Sequence, residues 1–577
     1  MAPPRPCCAI RTISVGAVLL SLSSCGWTRP PDPPGTLRAE ASFRQDGAHF
    51  MQGALLGDSW AVGLSMLGLA TFTSADFQPR NFPDAACARL LAGDGIFYCT
   101  HHRAELQLLS WSAADHHVTA KRVVAAPPGA SLEGMALWNG KLVVAARRAG
   151  LLVTGPGGEA GRTVPLPRSI EAWDLAPLDD HRLVVAAGAT GLAVLDLADP
   201  AAPALVSMLA LPGVAVSLHL QSGRAYVASL SGGAHVVDLA DPAHPALLGS
   251  LQGGGLAYEA LPVGDQVIVS TGYHQITAAL HGGRLLPSGL RASDSWALAA
   301  SDDGSGGVYT AEFSVAGRYR LVAADPGGPF LRIPMNAAAS TTAAVSLTLP
   351  FENVGDAPLT VEALRLSPRT PGRSSVDLPG FTLAPGERRP VSLALDPLGY
   401  LLEVNAPGNR GSQSSVEIHA TDGPVEGQPL PGPLVYRELG GTEHDVGAAF
   451  AGRVGFLLVG AASCPVAFYA LHAARRDLAP YLGDGRVAAF SLDPWDNSDK
   501  GDLVGLDEGF PHLLSPLTTS DSHDQSWVLD HLGRNGFTGA PMPIVYVVGR
   551  GGTVRYARWG YEPAEVAAAL DEALAAP

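Results

Sequence analysis

Cys464 carries the clearest chemistry in the chain. It stands in Ala461-Ala462-Ser463-Cys464-Pro465, between the apolar run Phe456 to Gly460 and a helical stretch from Val466 to Leu478. A cysteine at such a strand-to-helix junction lies at the positive end of the helix dipole, beside backbone N–H groups without partners, and both favour thiolate over thiol. Pro465 suits the first helical turn, where its missing N–H costs nothing. Of the six cysteines, Cys7, Cys8 and Cys25 fall in the first 25 residues, which carry an export signal. Cys87 and Cys99 flank the turn Ala92-Gly93-Asp94-Gly95 almost symmetrically, on strands expected to pair antiparallel. They are either disulfide-bonded or two buried free thiols, and a bond closing so short a loop would be worth about 3 kcal/mol in the chain-entropy picture. In both cases Cys464 has no partner.

The elements that must position this thiol are those of an α/β unit. Phe456 to Gly460 is a continuous apolar strand of the kind buried on both faces. A second strand spans Val487 to Asp493, a helix is expected near Gln525 to Leu532, and strands Ile544 to Val548 and Thr553 to Trp559 flank a turn at Gly549 to Gly552. Val566, Leu570 and Leu574 mark one face of a closing helix. His472 lies two turns along its helix from Cys464, too far to serve as its base if the helix is regular.

Through strand-Cys464-Pro465-helix, Phe510-Pro511-His512-Leu513-Leu514-Ser515, and Met542-Pro543 leading into strand-turn-strand, residues 440–577 resemble the thioredoxin-like superfamily. The redoxins of the alkyl hydroperoxide reductase and thiol-specific antioxidant group are the nearest pattern. The resemblance implies Cys464 as nucleophile and a cis Met542-Pro543 bond whose Pro543 faces the thiol. This sequence departs from the pattern in three places. Ala467 stands where thioredoxins carry a second cysteine, Ala461 and Leu457 stand where peroxiredoxins carry a hydroxyl and a proline, and the family's arginine has no clear counterpart. Without a cysteine at 467, resolution depends on an external thiol reductant or another protein's cysteine. A sulfenic acid at Cys464 would be recycled externally. Three readings stay open: thiol oxidoreductase or peroxiredoxin-like antioxidant activity, a vestigial redoxin fold used for binding, and an inert buried cysteine.

Arg5, Arg11 and the ten-residue apolar stretch Ile13 to Leu22 make an export signal too short to span a bilayer. Its end, Leu22-Ser23-Ser24-Cys25, resembles the bacterial lipoprotein signal, which implies lipidation of Cys25 and removal of residues 1–24. The alternative is an ordinary secretory signal with an incidental Cys25. A Trp/Pro/Gly-rich tether follows within residues 25–44, and Gly26 in place of an aspartate favours the outer membrane by the same resemblance. The expected location is the cell envelope, as an outer-membrane lipoprotein facing the periplasm or the surface.

Between these ends the chain repeats. GLAVLDLADPAAPALVSML from Gly191 recurs as GAHVVDLADPAHPALLGSL from Gly233, an offset of 42. First strands fall near residues 96, 142, 183, 225, 267 and 308, with a weaker copy near Trp60. Each copy is apolar run, Gly turn, apolar run and Asp-Pro, which argues hairpins. About 42 residues suit a four-stranded sheet, and radial repetition of such sheets makes a β-propeller of six or seven blades over residues 45–332. VLDLADPAAPALV resembles the LVIVD repeat of bacterial exported propellers. Its partner is an unidentified protein or small molecule. His101-His102, His116-His117 and Asp302-Asp303-Gly304 read as surface histidines and a turn, and Asp493 to Asp499 as a solvated loop. No cofactor or metal site is expected.

Residues 333–432 continue as short alternating strands separated by turns such as Asn353-Val354-Gly355-Asp356, the pattern of an immunoglobulin-like β-sandwich. Across 577 residues, charged residues make up only 16% and hydrophobic ones 47%, with 67 Gly and 47 Pro. That composition supplies several β-rich cores and excludes long solvated helices. A net charge of −16 argues against nucleic acid as a partner. The expected molecule is multidomain and mainly β, with a C-terminal α/β thioredoxin-like domain. Its expected role is thiol–disulfide or peroxide chemistry displayed with an interaction platform; the alternative is a non-enzymatic surface scaffold.

Overall fold

The computed structural model describes residues 37–44, 50–56, 59–64, 68–73, 80–82 and 87. It also describes 510–514, 543–576, and most of 89–460 and 465–493, apart from breaks of one to six residues. Cys25, Cys464, Met542, the segment expected to be helical near 525–532 and the loop 494–499 lie outside the described residues.

The repeats form seven four-stranded antiparallel sheets. Their inner strands are Phe50–Leu56, Arg89–Gly93, Met135–Trp138, Asp174–Pro177, Ser217–Gln221, Glu259–Val263 and Ser295–Ala300. Each inner strand borders the next, and the last borders the first, which closes a ring of seven blades. The seventh blade takes its outermost strand from the other end of the chain: Leu37–Arg44 pairs antiparallel with Val315–Leu321. This settles the blade count at seven. It also moves Leu37–Arg44, expected in the linker, into the propeller, because the outer edge of the last blade would otherwise be an unpaired strand.

The local sequence explains each blade. In blade four, Leu183, Val184, Val185 and Ala186 are all fully buried, as a strand covered on both faces requires. Asp196 and Asp238, the equivalent aspartates of the Asp-Leu-Ala-Asp-Pro motif, accept hydrogen bonds from Ala198 N and Ala240 N at 2.7 and 2.9 Å. These Asx turns end the third strand of their blades. Gly150, Gly191 and Gly233 recur at one blade position with φ of 98°, 97° and 85°. A Cβ there would lie 2.1–2.3 Å from the carbonyl oxygen of Val164, Leu209 or Leu251 on the outer strand, so only glycine fits. Cys87 and Cys99 are disulfide-bonded, with Cα atoms 5.2 Å apart, in the core between blades one and two.

Two facing sheets follow. Leu331–Arg332, Val345–Asn353 and Arg388–Leu395 form the smaller one. Asn336–Ser340, Ser415–Thr421, Tyr400–Asn405, Leu359–Pro368 and Val376–Leu383 form the larger. Alternate residues of Val345–Asn353 point into the shared core around Leu349 and Phe351. Leu331–Arg332, expected at the end of the propeller, already belongs to this unit.

The C-terminal unit is a seven-stranded mixed sheet. Its spatial order is Glu443–Asp445, Val435–Glu438, His512–Leu514, Val487–Asp493, Val454–Val459, Ile544–Val548 and Val554–Trp559. Val454–Val459 is parallel to Val487–Asp493 and antiparallel to Ile544–Val548, and every one of its residues is buried. Among the described residues, helices α1 (Val446–Phe450), α2 (Pro465–Leu482) and α3 (Pro563–Ala575) belong to it. The three units share buried contacts. One hydrophobic core contains both blade residues such as Trp173 and Val216 and C-terminal residues such as Phe468 and Leu570.

Candidate functional site

α2 sits in the mouth of the propeller. Its stretch Val466 to Leu471 is wholly buried, as are Ala473, Ala474 and Leu478. The apolar N-terminal half of the helix is covered on both sides: one side packs on its own sheet, the other on the blades.

The mouth is built from blade turns on one face. Arg103 and Arg147 occupy the same position of consecutive blades, each with a left-handed backbone (φ 54° and 51°). Gly188 and Leu230 continue that series in the next two blades at φ 60° and 42°. The Arg103 guanidinium carbon lies 3.9 Å from the Phe468 ring centroid, and that of Arg147 lies 3.8 Å from the Trp173 centroid. Both arginines are buried and paired with carboxylates, Arg103 with Glu133 at 3.0 Å and Arg147 with Glu171. Cations over aromatic faces in such dry surroundings are worth about 2 kcal/mol. Trp173 and Tyr258 meet Tyr469 at 5.9 and 5.5 Å between centroids. Ser231 donates to Asp477 Oδ1 at 3.1 Å, and Tyr561 of the C-terminal unit donates to its other oxygen at 3.2 Å.

Beneath Tyr469 the channel is polar. Arg89 donates to Val216 O at 3.1 Å, and His219 lies 3.1 Å from Glu259. Burial raises the Asp174 carboxyl above the usual carboxylate range, against the pull of Arg89 and His219. Burial alone would depress His219, but the hydrogen bond to Glu259 and the charges of Glu259 and Asp174 lift it above its ordinary value. Burial pushes the Tyr469 hydroxyl up despite Arg89. Arg89, with its guanidinium carbon 5.7 Å from the Tyr469 ring centroid, joins this polar layer to the helix.

Of the residues expected at the thiol site, Pro543 is described. It is buried, and together with Ala467 it crowds Gly460: a Cβ on Gly460 would lie 2.7 Å from Ala467 Cβ and 3.2 Å from Pro543 Cβ. The strand end, the first turn of α2 and Pro543 therefore converge. Cys464, one residue before α2, and Cys25 lie outside the described residues. The arginine–aromatic mouth was missed in the sequence, although Arg103 and Arg147 stand at one repeat position. Their shared register was the available signal.

Residues 183–210 and 212–252 match the LVIVD repeat family. These matches fall on blades four and five. No curated protein sequence matches the chain. Similar solved structures include a chain in the crystal structure of the mitotic checkpoint complex. It is 11% identical and has a TM-score of 0.42, with 54% of this chain and 100% of that one covered. The β-propeller domain of Myceliophteria thermophila Cps50 (Swd1) is 12% identical, covering 50% of this chain and 100% of that one, at a TM-score of 0.41. The WD40 β-propeller domain of Doa1 is 8% identical, covering 49% and 97%, at 0.40. Such low identities say nothing about ligands.

Proposed function

We propose that this chain is a cell-envelope lipoprotein whose propeller is an interaction scaffold for a protein partner, with a thioredoxin-like C-terminal unit fixed in its mouth. The observation that carries this reading is the seating of α2. A helix buried on both sides and ringed by Arg89, Arg103, Arg147, Trp173 and Tyr258 mounts its unit rigidly on the blades. Partner contact then falls on the opposite face and the outer strands, where Leu205, Met208 and Leu247 are exposed.

The anchor suits this orientation. Turns that lead into the third strand of a blade carry Arg103, Arg147 and Ser231, so that face belongs to α2. Leu37 pairs with Leu321, at the far end of the third strand of blade seven, so the tether joins the opposite face. Labelling cells with a radioactive fatty acid is expected to mark the wild-type protein. Cys25→Ala should lose the label and leave the membrane fraction; a label that survives the substitution removes the anchor.

A second reading, redox chemistry at Cys464, is favoured by the strand order around Val454–Val459 and by the convergence of Gly460, Ala467 and Pro543 at the start of α2. Wild type and Cys464→Ser compared in thiol–disulfide exchange and peroxide consumption separate the two. Equal rates are expected for a scaffold. A loss of about 100-fold or more, the scale of removing a nucleophile, transfers the function to the thiol.

A further inference from the structure

We propose that His472 makes the seating of α2 in the propeller mouth acid-labile, so that the mouth is a pH-gated site. Arg147 Nη1 lies 3.3 Å from His472 Nε2. A guanidinium carries only donors, so Nε2 is the acceptor and the ring proton sits on Nδ1. A further proton can enter only at Nε2, where it abolishes this hydrogen bond and sets N–H against N–H. Arg147 is not free to turn away, because its Nε and Nη2 donate to Glu171 and its guanidinium covers Trp173. The imidazole is itself wedged edge-on against Trp173 and Phe468, with centroids 4.9 and 4.7 Å away.

The charges around this ring do not relieve the conflict. Arg147, Arg148 and Arg103 face it from the blades and Arg475 from its own helix, while Glu171 and Glu133 are already engaged by Arg147 and Arg103. Burial first, and then these four arginines, hold the imidazole well below its ordinary range while α2 is seated. Released into water, the ring regains a value near 6.5. The released state therefore binds one proton more than the seated state below that pH. Seating is favoured above about pH 6.5 and weakens about tenfold per pH unit below it, until the ring titrates in place.

Asp477, further along α2, acts in the opposite sense. Burial raises its carboxyl despite the hydrogen bonds from Ser231 and Tyr561, so it takes up a proton more readily while seated. The test must isolate His472 from it. Hydrogen exchange of the α2 amides in the full-length protein, corrected for intrinsic rates, provides that reading between pH 6.5 and 4.5, with the amides of Arg182–Ala186 as an internal reference. Wild-type protection of α2 is expected to fall about 50-fold further than that of His472→Phe, whose ring keeps the edge-on packing without titrating. Parallel falls in the two proteins overturn the inference. Should His472→Phe fail to fold, His472→Gln is the second arm. Its amide oxygen can still accept from Arg147 without titrating, so the pH slope of α2 protection should flatten; a slope as steep as the wild type's overturns the inference equally.

Discussion

Phe468→Ala is expected to unseat the C-terminal unit from the propeller at a cost of about 3–5 kcal/mol, the range for deleting a buried phenylalanine side chain. Phe468 is fully buried and is the hub of the mouth. It lies under Arg103, within 5.9 Å of Trp173 and Tyr469 and 4.7 Å of His472 by ring centroids. Removing the ring leaves a cavity on the blade side and strips Arg103 of its aromatic partner, while Glu133 still holds the guanidinium. Urea unfolding followed by tryptophan fluorescence and by far-UV circular dichroism would show the effect. The wild type should unfold with coincident transitions. The variant should show an early step for α2 and its sheet, followed by a propeller transition near the wild-type midpoint. Coincident transitions with an unchanged midpoint would mean that Phe468 is not what holds the helix in the mouth.

Arg332→Met should cost about 3 kcal/mol, the low end of the range for breaking a buried ion pair by removing one partner. Arg332 lies where all three units meet. Its Nη1 donates to Glu352 of the smaller sandwich sheet at 2.8 Å, and its Nη2 donates to both oxygens of Glu562, the N-cap of α3, at 2.6 and 2.7 Å. The same junction holds Arg388 with Glu565 at 2.8 Å and Arg558 with Glu426 at 2.7 Å. Burial raises the carboxyls of Glu565 and Glu426. The low end applies because Glu352 and Glu562 keep 18% and 16% of their side-chain surface and can be partly rehydrated. The asymmetry of buried pairs gives the check. Arg332→Met combined with Glu562→Leu should recover much of the lost stability, since no unpaired charge then remains on α3. If the double variant in equilibrium unfolding is as unstable as the two single losses summed, the pair is not coupled.

The blades were legible because everything that shapes a blade is local. The offset of 42 between Gly191 and Gly233 marks one glycine whose Cβ would strike the outer-strand carbonyl. The two Asp-Leu-Ala-Asp-Pro copies mark a turn held by an aspartate two residues away. The strands around Cys464 were legible for the same reason, as continuous apolar runs with turn residues between them. Arg103 and Arg147 were visible as repeat partners but carried no sign of an aromatic ring to cover.

The sequence by itself determined the repeat, the blade turns, the strands Val454–Val459 and Val487–Asp493 and the order of the three units, since each follows from residues within about 50 positions of one another. Only the tertiary structure decided that Leu37–Arg44 closes the ring, that Arg332 ties the sandwich to α3 and that α2 fills the propeller mouth. Those contacts join residues 230 to more than 300 positions apart, as in Arg332–Glu562 and Arg147–His472. The apolar run Val466 to Leu471 announces that it will be covered, but the identity of the cover depends on which distant surface has the matching shape and charge, and no local pattern records that.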